Sequence, residues 1–278
     1  MVPREVGAAA DSSAAVAVDV NDPARVEARA IRCLPGELAP HVLLPGDPAR
    51  AVRIARDFMD GAKAVVSHRE FTTFTGEYEG TPVSVTSTGI GGAGAAMVVE
   101  DLARLGVRTA IRVGTAGSVQ PSVHPGDIVI ATGAVRNDGV TDNYVPAAFP
   151  AVADRSVLTA LVEAAGSDSR VHEGLIHTSG GFRTPHLAEQ VRTYGEAGVL
   201  AFEMEAATVL LVSQLRGIRA GAIVAIDGYV ANVVAGDLQP DDVASDSAIE
   251  FAITCALNAI RALDDDATTT MAPHNDVG

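Results

Sequence analysis

A short apolar strand, Thr109 to Val113, carries Arg112 and runs directly into a loop with Gly114, Thr115 and Gly117. A guanidinium fork, a hydroxyl and backbone N–H groups freed by glycine are what a tetrahedral oxyanion needs around it. A similar junction lies upstream, where the apolar run Val42 to Leu44 ends in Pro45-Gly46-Asp47-Pro48-Ala49-Arg50. Two such junctions in one chain point to a phosphate-sized site at the strand ends, although each alone also fits a turn with a solvated arginine. A third arginine, Arg69, stands in Ser67-His68-Arg69-Glu70-Phe71. Carboxylates supply the complementary chemistry. Glu203 and Glu205 flank Met204 where the apolar run from Val199 gives way to a helix. Glu205 there suits either a helix N-terminus, through the dipole, or a bidentate grip on a sugar diol. Asp227 ends the apolar run Ile223 to Ile226, where open α/β sheets put ligands. Partly desolvated, its carboxyl would have a raised pKa and act as a general acid; a turn or helix cap uses the same residue.

These residues need elements to carry them. Runs at 81–88, 109–113, 127–132, 174–178 and 220–226 are rich in β-branched residues and read as largely buried strands. Helical periodicity marks 49–58, 95–105, 156–165, 205–216 and 248–263. The alternation predicts an α/β fold: one domain with a central mixed, largely parallel sheet flanked by helices. The domain is expected over residues 28–264. Aperiodic stretches at 1–27 and 265–278 read as flexible tails.

Composition narrows the function. The 278 residues carry a net charge of −15, which disfavours nonspecific nucleic-acid binding. Cys33 and Cys255 have neither metal-ligand spacing nor the density of a disulfide scaffold. No run approaches the roughly 18 uninterrupted apolar residues of a membrane span, and a cytoplasmic location is expected. Gly89-Ile90-Gly91-Gly92-Ala93-Gly94 satisfies the dinucleotide glycine pattern. The acidic residue wanted about 20 positions on is missing, and Arg108, Thr109 and Arg112 stand there instead. The glycines fit close backbone approach to a small ligand better than a nicotinamide or flavin site.

Together these stretches resemble the nucleoside phosphorylase family that includes uridine phosphorylase and the hexameric purine nucleoside phosphorylases. The resemblance covers roughly residues 40 to 262 and rests on Pro45-Gly46-Asp47-Pro48, Ser67-His68-Arg69-Glu70-Phe71, Ser87-Thr88-Gly89-Ile90-Gly91-Gly92, Arg112-Val113-Gly114-Thr115 and Glu203-Met204-Glu205, in the family's order. Phe149-Pro150-Ala151-Val152-Ala153-Asp154 adds to it. The resemblance implies that Gly46, Arg50, Arg112 and Thr115 hold phosphate, with Arg69 supplied by a neighbouring subunit. The active unit would then be a dimer, commonly tripled into a hexamer. Met204 and Glu205 would hold the ribose, Phe182 would pack on the base or sugar, and Asp227 would protonate a departing purine. The implied reaction is reversible phosphorolysis of a ribonucleoside to free base and ribose 1-phosphate. Inorganic phosphate is the co-substrate, and no metal or organic cofactor is required.

Three departures bear on the substrate. The segment Phe182-Arg183-Thr184-Pro185-His186-Leu187 lacks the Gln-x-Arg pair with which bacterial uridine phosphorylases hold uracil. No arginine follows Asp227 before Arg261, so the arginine that assists proton transfer in bacterial purine enzymes has no counterpart here. Ala30 stands where the family usually places a histidine over the 5′-hydroxyl of the neighbouring subunit. A purine nucleoside is slightly favoured over uridine, with a 5′-modified sugar met by Arg29 or Arg32 as an extension. A uridine phosphorylase proper is the alternative. A nucleosidase and a non-catalytic nucleoside-binding protein are further ones.

Overall fold

In the computed structural model, which describes residues 22–25, 28–237 and 242–270, ten strands form one sheet. They are β1 (His41–Leu44), β2 (Asp60–His68), β3 (Phe71–Tyr78), β4 (Thr81–Thr86), β5 (Thr109–Ser118), β6 (Ile128–Asn137), β7 (Ala151–Val152), β8 (Val171–Ser179), β9 (Ala201–Glu203) and β10 (Arg219–Tyr229). The helices are α1 (Pro48–Phe58), α2 (Gly92–Arg104), α3 (Arg155–Ala165), α4 (Leu187–Glu196), α5 (Ala206–Leu215), α6 (Val230–Ala235) and α7 (Asp242–Thr270).

The sheet is mixed. Parallel ladders join β4 to β1, β1 to β5, β5 to β10, β6 to β8 and β8 to β9. Antiparallel ladders build the β2–β3–β4 meander and pair β10 with β6, β5 with β9 and β6 with β7. Because β10 bonds to both β5 and β6, the strands β5, β10, β6, β8 and β9 close into a ring. From β5 the sheet extends through β1 to β4, β3 and β2, and β7 attaches to β6.

Alternation along the strands decides which face each residue serves. Val42 and Leu44 enter the core beneath α2 and α5, while Leu43 enters the core beneath α1, α3 and α7. In β5, Ala110 faces the first core and Ile111 and Val113 the second, which puts Arg112 on the α2–α5 side. Helix starts follow local chemistry. Asp47 accepts the Ala49 N–H at 2.8 Å and Pro48 occupies the first turn of α1. Asp154 caps α3 through the N–H groups of Ser156 and Val157. Helix α5 is buried from Ala206 to Ser213, apolar on all sides as a central helix must be.

Most of the expected N-terminal tail lies outside the described residues. Within it, Arg25 is buried and pairs with Glu37 at 2.6 Å. At the other end α7 continues to Thr270, and residues 271–278 lie outside the described residues.

Candidate functional site

Arg112 lies inside β5, between Leu44 at the end of β1 and Ala222 of β10, on the side of α2 and α5. The strand runs on to Ser118, so Gly114, Thr115 and Gly117, expected in a loop, belong to β5. The Arg112 side chain is 3% exposed and held from two sides. Nε donates to Glu203 Oε2 at 2.8 Å, and Nη2 pairs with Glu205 Oε2 at 2.6 Å. Nη1 is buried and has no partner. A buried guanidinium nitrogen without an acceptor is costly. Burial opposes the charge of Arg112, but Glu205 and Glu203 more than offset it and raise its pKa.

Arg50, on α1, reaches the same region and donates to the Val113 carbonyl at 3.4 Å. Burial and the neighbouring Arg112 lower its pKa, whereas Asp47 and Asp227 oppose that shift. The loop carrying Gly46 is laced to the next strand end, with the Thr88 N–H on the Pro45 carbonyl and the Gly89 N–H on the Gly46 carbonyl, at 2.9 and 3.0 Å. Gly91, at φ 94, turns its N–H onto Glu205 Oε1 at the head of α2. Of the glycine-rich stretch, this residue shows most directly why glycine is needed: its N–H helps hold a site carboxylate.

Asp227 owes its position to a β-bulge. In the β5–β10 ladder Ile226 faces Ala116 and Gly228 faces Gly117, which leaves Asp227 as the extra residue. Burial raises its pKa, while a hydrogen bond from Thr115 and the charge of Arg50 pull the other way. Burial, and the charge of Glu203, likewise push Glu205 up against the pull of Arg112. The site thus brings together Gly46, Arg50, Arg112, Thr115, Glu205 and Asp227. Met204 stands half-buried between the two glutamates.

Two expected residues stand apart. Arg69 occupies the tight turn between β2 and β3, exposed and in the left-handed region at φ 56. Phe182 is 54% exposed in the loop after β8, with the Arg183 guanidinium 5.9 Å from its ring centre. Sequence reasoning overlooked Thr178, whose hydroxyl donates to Glu203 Oε1 at 2.5 Å and accepts the Ala207 N–H at 2.8 Å. It also assigned no task to Glu203. The only signal was the spacing of two glutamates across one methionine, which a strand-to-helix junction turns to different neighbours.

The model of the phosphorylase superfamily matches residues 40–265. The chain belongs to the phosphorylase superfamily. Among its relatives, a uridine phosphorylase of Thermococcus kodakarensis is 43% identical over 209 residues, 70% of this chain and 75% of that protein. A guanosine phosphorylase of Halorubrum lacusprofundi is 40% identical over 235 residues, covering 82% and 95%. The crystal structure of a purine nucleoside phosphorylase from Toxoplasma gondii, in complex with immucillin-H, superposes with a TM-score of 0.80 at 30% identity, covering 85% and 96%. The nucleoside phosphorylase family that the motifs resemble is therefore the chain's own. The protein is an enzyme, a pentosyltransferase. Among the described residues no helix is long and apolar enough to cross a membrane.

Proposed function

We propose that this phosphorylase cleaves a ribonucleoside with inorganic phosphate, releasing free base and ribose 1-phosphate. The observation that carries the reading is the buried, unpartnered Nη1 of Arg112 beside Arg50, within a cluster that also holds Glu205 and Asp227. Arg112, Arg50, Thr115 and the Gly46 loop receive phosphate, and Arg69 reaches it from a second copy, so a dimer is the active unit and a hexamer the assembly. Glu205 accepts the ribose hydroxyls and Met204 packs on the sugar. The glycosidic bond loosens, the sugar gains oxocarbenium character, and the phosphate held below it captures C1′. Asp227 donates a proton to the departing base, and Phe182 closes on the base from the exposed rim.

Asp227 favours a purine nucleoside, because a carboxyl whose pKa is raised by burial suits donation to N7. Uridine is the second choice, supported by the relatives that bear that name. A hydrolase would not need the phosphate arginines. A non-catalytic binder would not need the acid. The deciding experiment is turnover of inosine, adenosine, guanosine and uridine with and without phosphate, read as free base. Turnover only with phosphate supports the reading; phosphate-independent release makes the enzyme a nucleosidase.

Ala30, the position aligned with the family's 5′ histidine, is 1% exposed in the core of its own chain and its N–H bonds Asp101 at 2.7 Å. Arg32, at φ 55, keeps Nε and Nη1 buried without acceptors. This supports a 5′ substituent of acidic character. A preference in kcat/KM for the unmodified 5′-hydroxyl over a 5′-carboxylate or 5′-phosphate would remove that extension.

A further inference from the structure

Glu203 has no assigned part in phosphorolysis, yet its carboxylate is the best-tethered group in the site. It accepts from Arg112 Nε at 2.8 Å, the Glu205 N–H at 2.8 Å, the Ala206 N–H at 2.9 Å and Thr178 Oγ1 at 2.5 Å. Those donors come from β5, from β8 and from the head of α5, so one side chain joins three elements. The same carboxylate therefore fixes the Nε edge of Arg112, and with it the direction of the free Nη1. It also satisfies the first N–H groups of α5, at the junction that carries Met204 and Glu205. Its charge has a further effect. Arg112 lies between two carboxylates with little water around them, so much of its pull on an arriving anion is already cancelled.

We propose that Glu203 is a positioning residue that registers the phosphate arginine against the sugar carboxylate and tempers the affinity for phosphate. The inference rests on the phosphorolysis reading. Its signature is a split that loss of structure would not give. Glu203→Gln removes the charge; its one oxygen can keep the three donors that meet Oε2, but an NH2 group replaces Oε1 and the Thr178 hydroxyl loses its acceptor, which breaks the tie to β8. Arg112 then attracts anions more strongly while Arg112 and Glu205 lose their mutual alignment.

The test compares the full-length wild type with Glu203→Gln, Glu203→Asp and Thr178→Val. Inorganic phosphate is titrated calorimetrically, and steady-state rates are measured with whichever of inosine and uridine the wild type turns over. Glu203→Gln is expected to bind phosphate about threefold or more tighter while kcat falls about a hundredfold. Glu203→Asp keeps the charge but not the reach, so phosphate affinity stays within about twofold and kcat is intermediate. Thr178→Val keeps the charge and loosens the tether, lowering kcat about tenfold at unchanged phosphate affinity. Weaker phosphate binding together with lower kcat in Glu203→Gln overturns the proposal, and so does a wild-type kcat. Should Glu203→Gln not fold, a wild-type kcat in Thr178→Val overturns it. Absence of phosphate-dependent turnover in the wild type is a failure of the phosphorolysis reading, and the phosphate titrations still report on Glu203.

Discussion

Gly114 lies against the guanidinium of Arg112, so close that a Cβ there would stand 2.7 Å from Nη2. The arginine has no room to yield, because Glu203 and Glu205 hold it from two sides. Gly114→Ala is therefore expected to push Nη1 out of register and lower kcat/KM for phosphate about 10- to 100-fold, since small misplacements cost that much. The change adds only a methyl group to a strand, so the midpoint of thermal unfolding should move by only a few degrees. Steady-state kinetics at varied phosphate, paired with a melting curve, check both halves.

Arg69 and Asp227 belong to different copies of the chain if the hairpin turn completes a neighbour's site. Arg69→Ala and Asp227→Asn should each be nearly inactive on inosine alone. Mixed, unfolded and refolded together, they should recover about a quarter of wild-type activity, since random pairing gives half heterodimers with one intact site each. No recovery would place Arg69 in its own copy's site or outside the reaction.

The raised pKa of Asp227 fixes the sign of the pH dependence. The protonated carboxyl is the working form, so the rate with a purine nucleoside falls as pH climbs through that raised value. Asp227→Asn should lose about 10²- to 10⁴-fold in kcat and lose this basic limb as well. Uridine turnover should be less affected, because its base has no N7 to receive the proton. Profiles of kcat against pH for inosine and uridine, in wild type and variant, decide the point.

His177 predicts a stability effect away from the chemistry. Burial pushes its pKa down to about 4, and the ring stacks on Phe202 with centres 4.1 Å apart. The folded state holds it neutral, whereas the unfolded chain protonates it near the ordinary value of 6.5. Stability from this group is complete above the unfolded value and is lost as pH falls from there towards about 4. The loss amounts to about 3 kcal/mol at most. Urea unfolding at several pH values should show it in the wild type and a flatter profile in His177→Phe.

Part of the site was readable because charged residues directly after apolar runs stand out. Arg112 and Asp227 both follow apolar runs, and Gly46 and Arg50 sit where Asp47 and Pro48 start a helix. What was hidden depends on neighbours distant in sequence. The bulge that aims Asp227 exists only in register with Ala116 and Gly117, and the tether on Glu203 needs Thr178 from another strand. The hairpin of β2 and β3 escaped because its residues are mostly half-exposed or exposed and show no clean alternation. Helix α4 escaped because it buries little beyond Leu187.

The closed ring of β5, β10, β6, β8 and β9 works as a chuck. Its jaws, Arg112, Glu203 and Asp227, ride on three of its strands; Arg112 has paired strands on both sides, Glu203 is tied by its own carboxylate, and Asp227 stands out on the bulge. The loop around Phe182 hangs from the rim and can be recut without disturbing them. On the proposed reading, the loop can change its contacts with the base while the groups proposed for sugar and phosphate keep their places, and Asp227 is the one jaw whose chemistry also bears on the base.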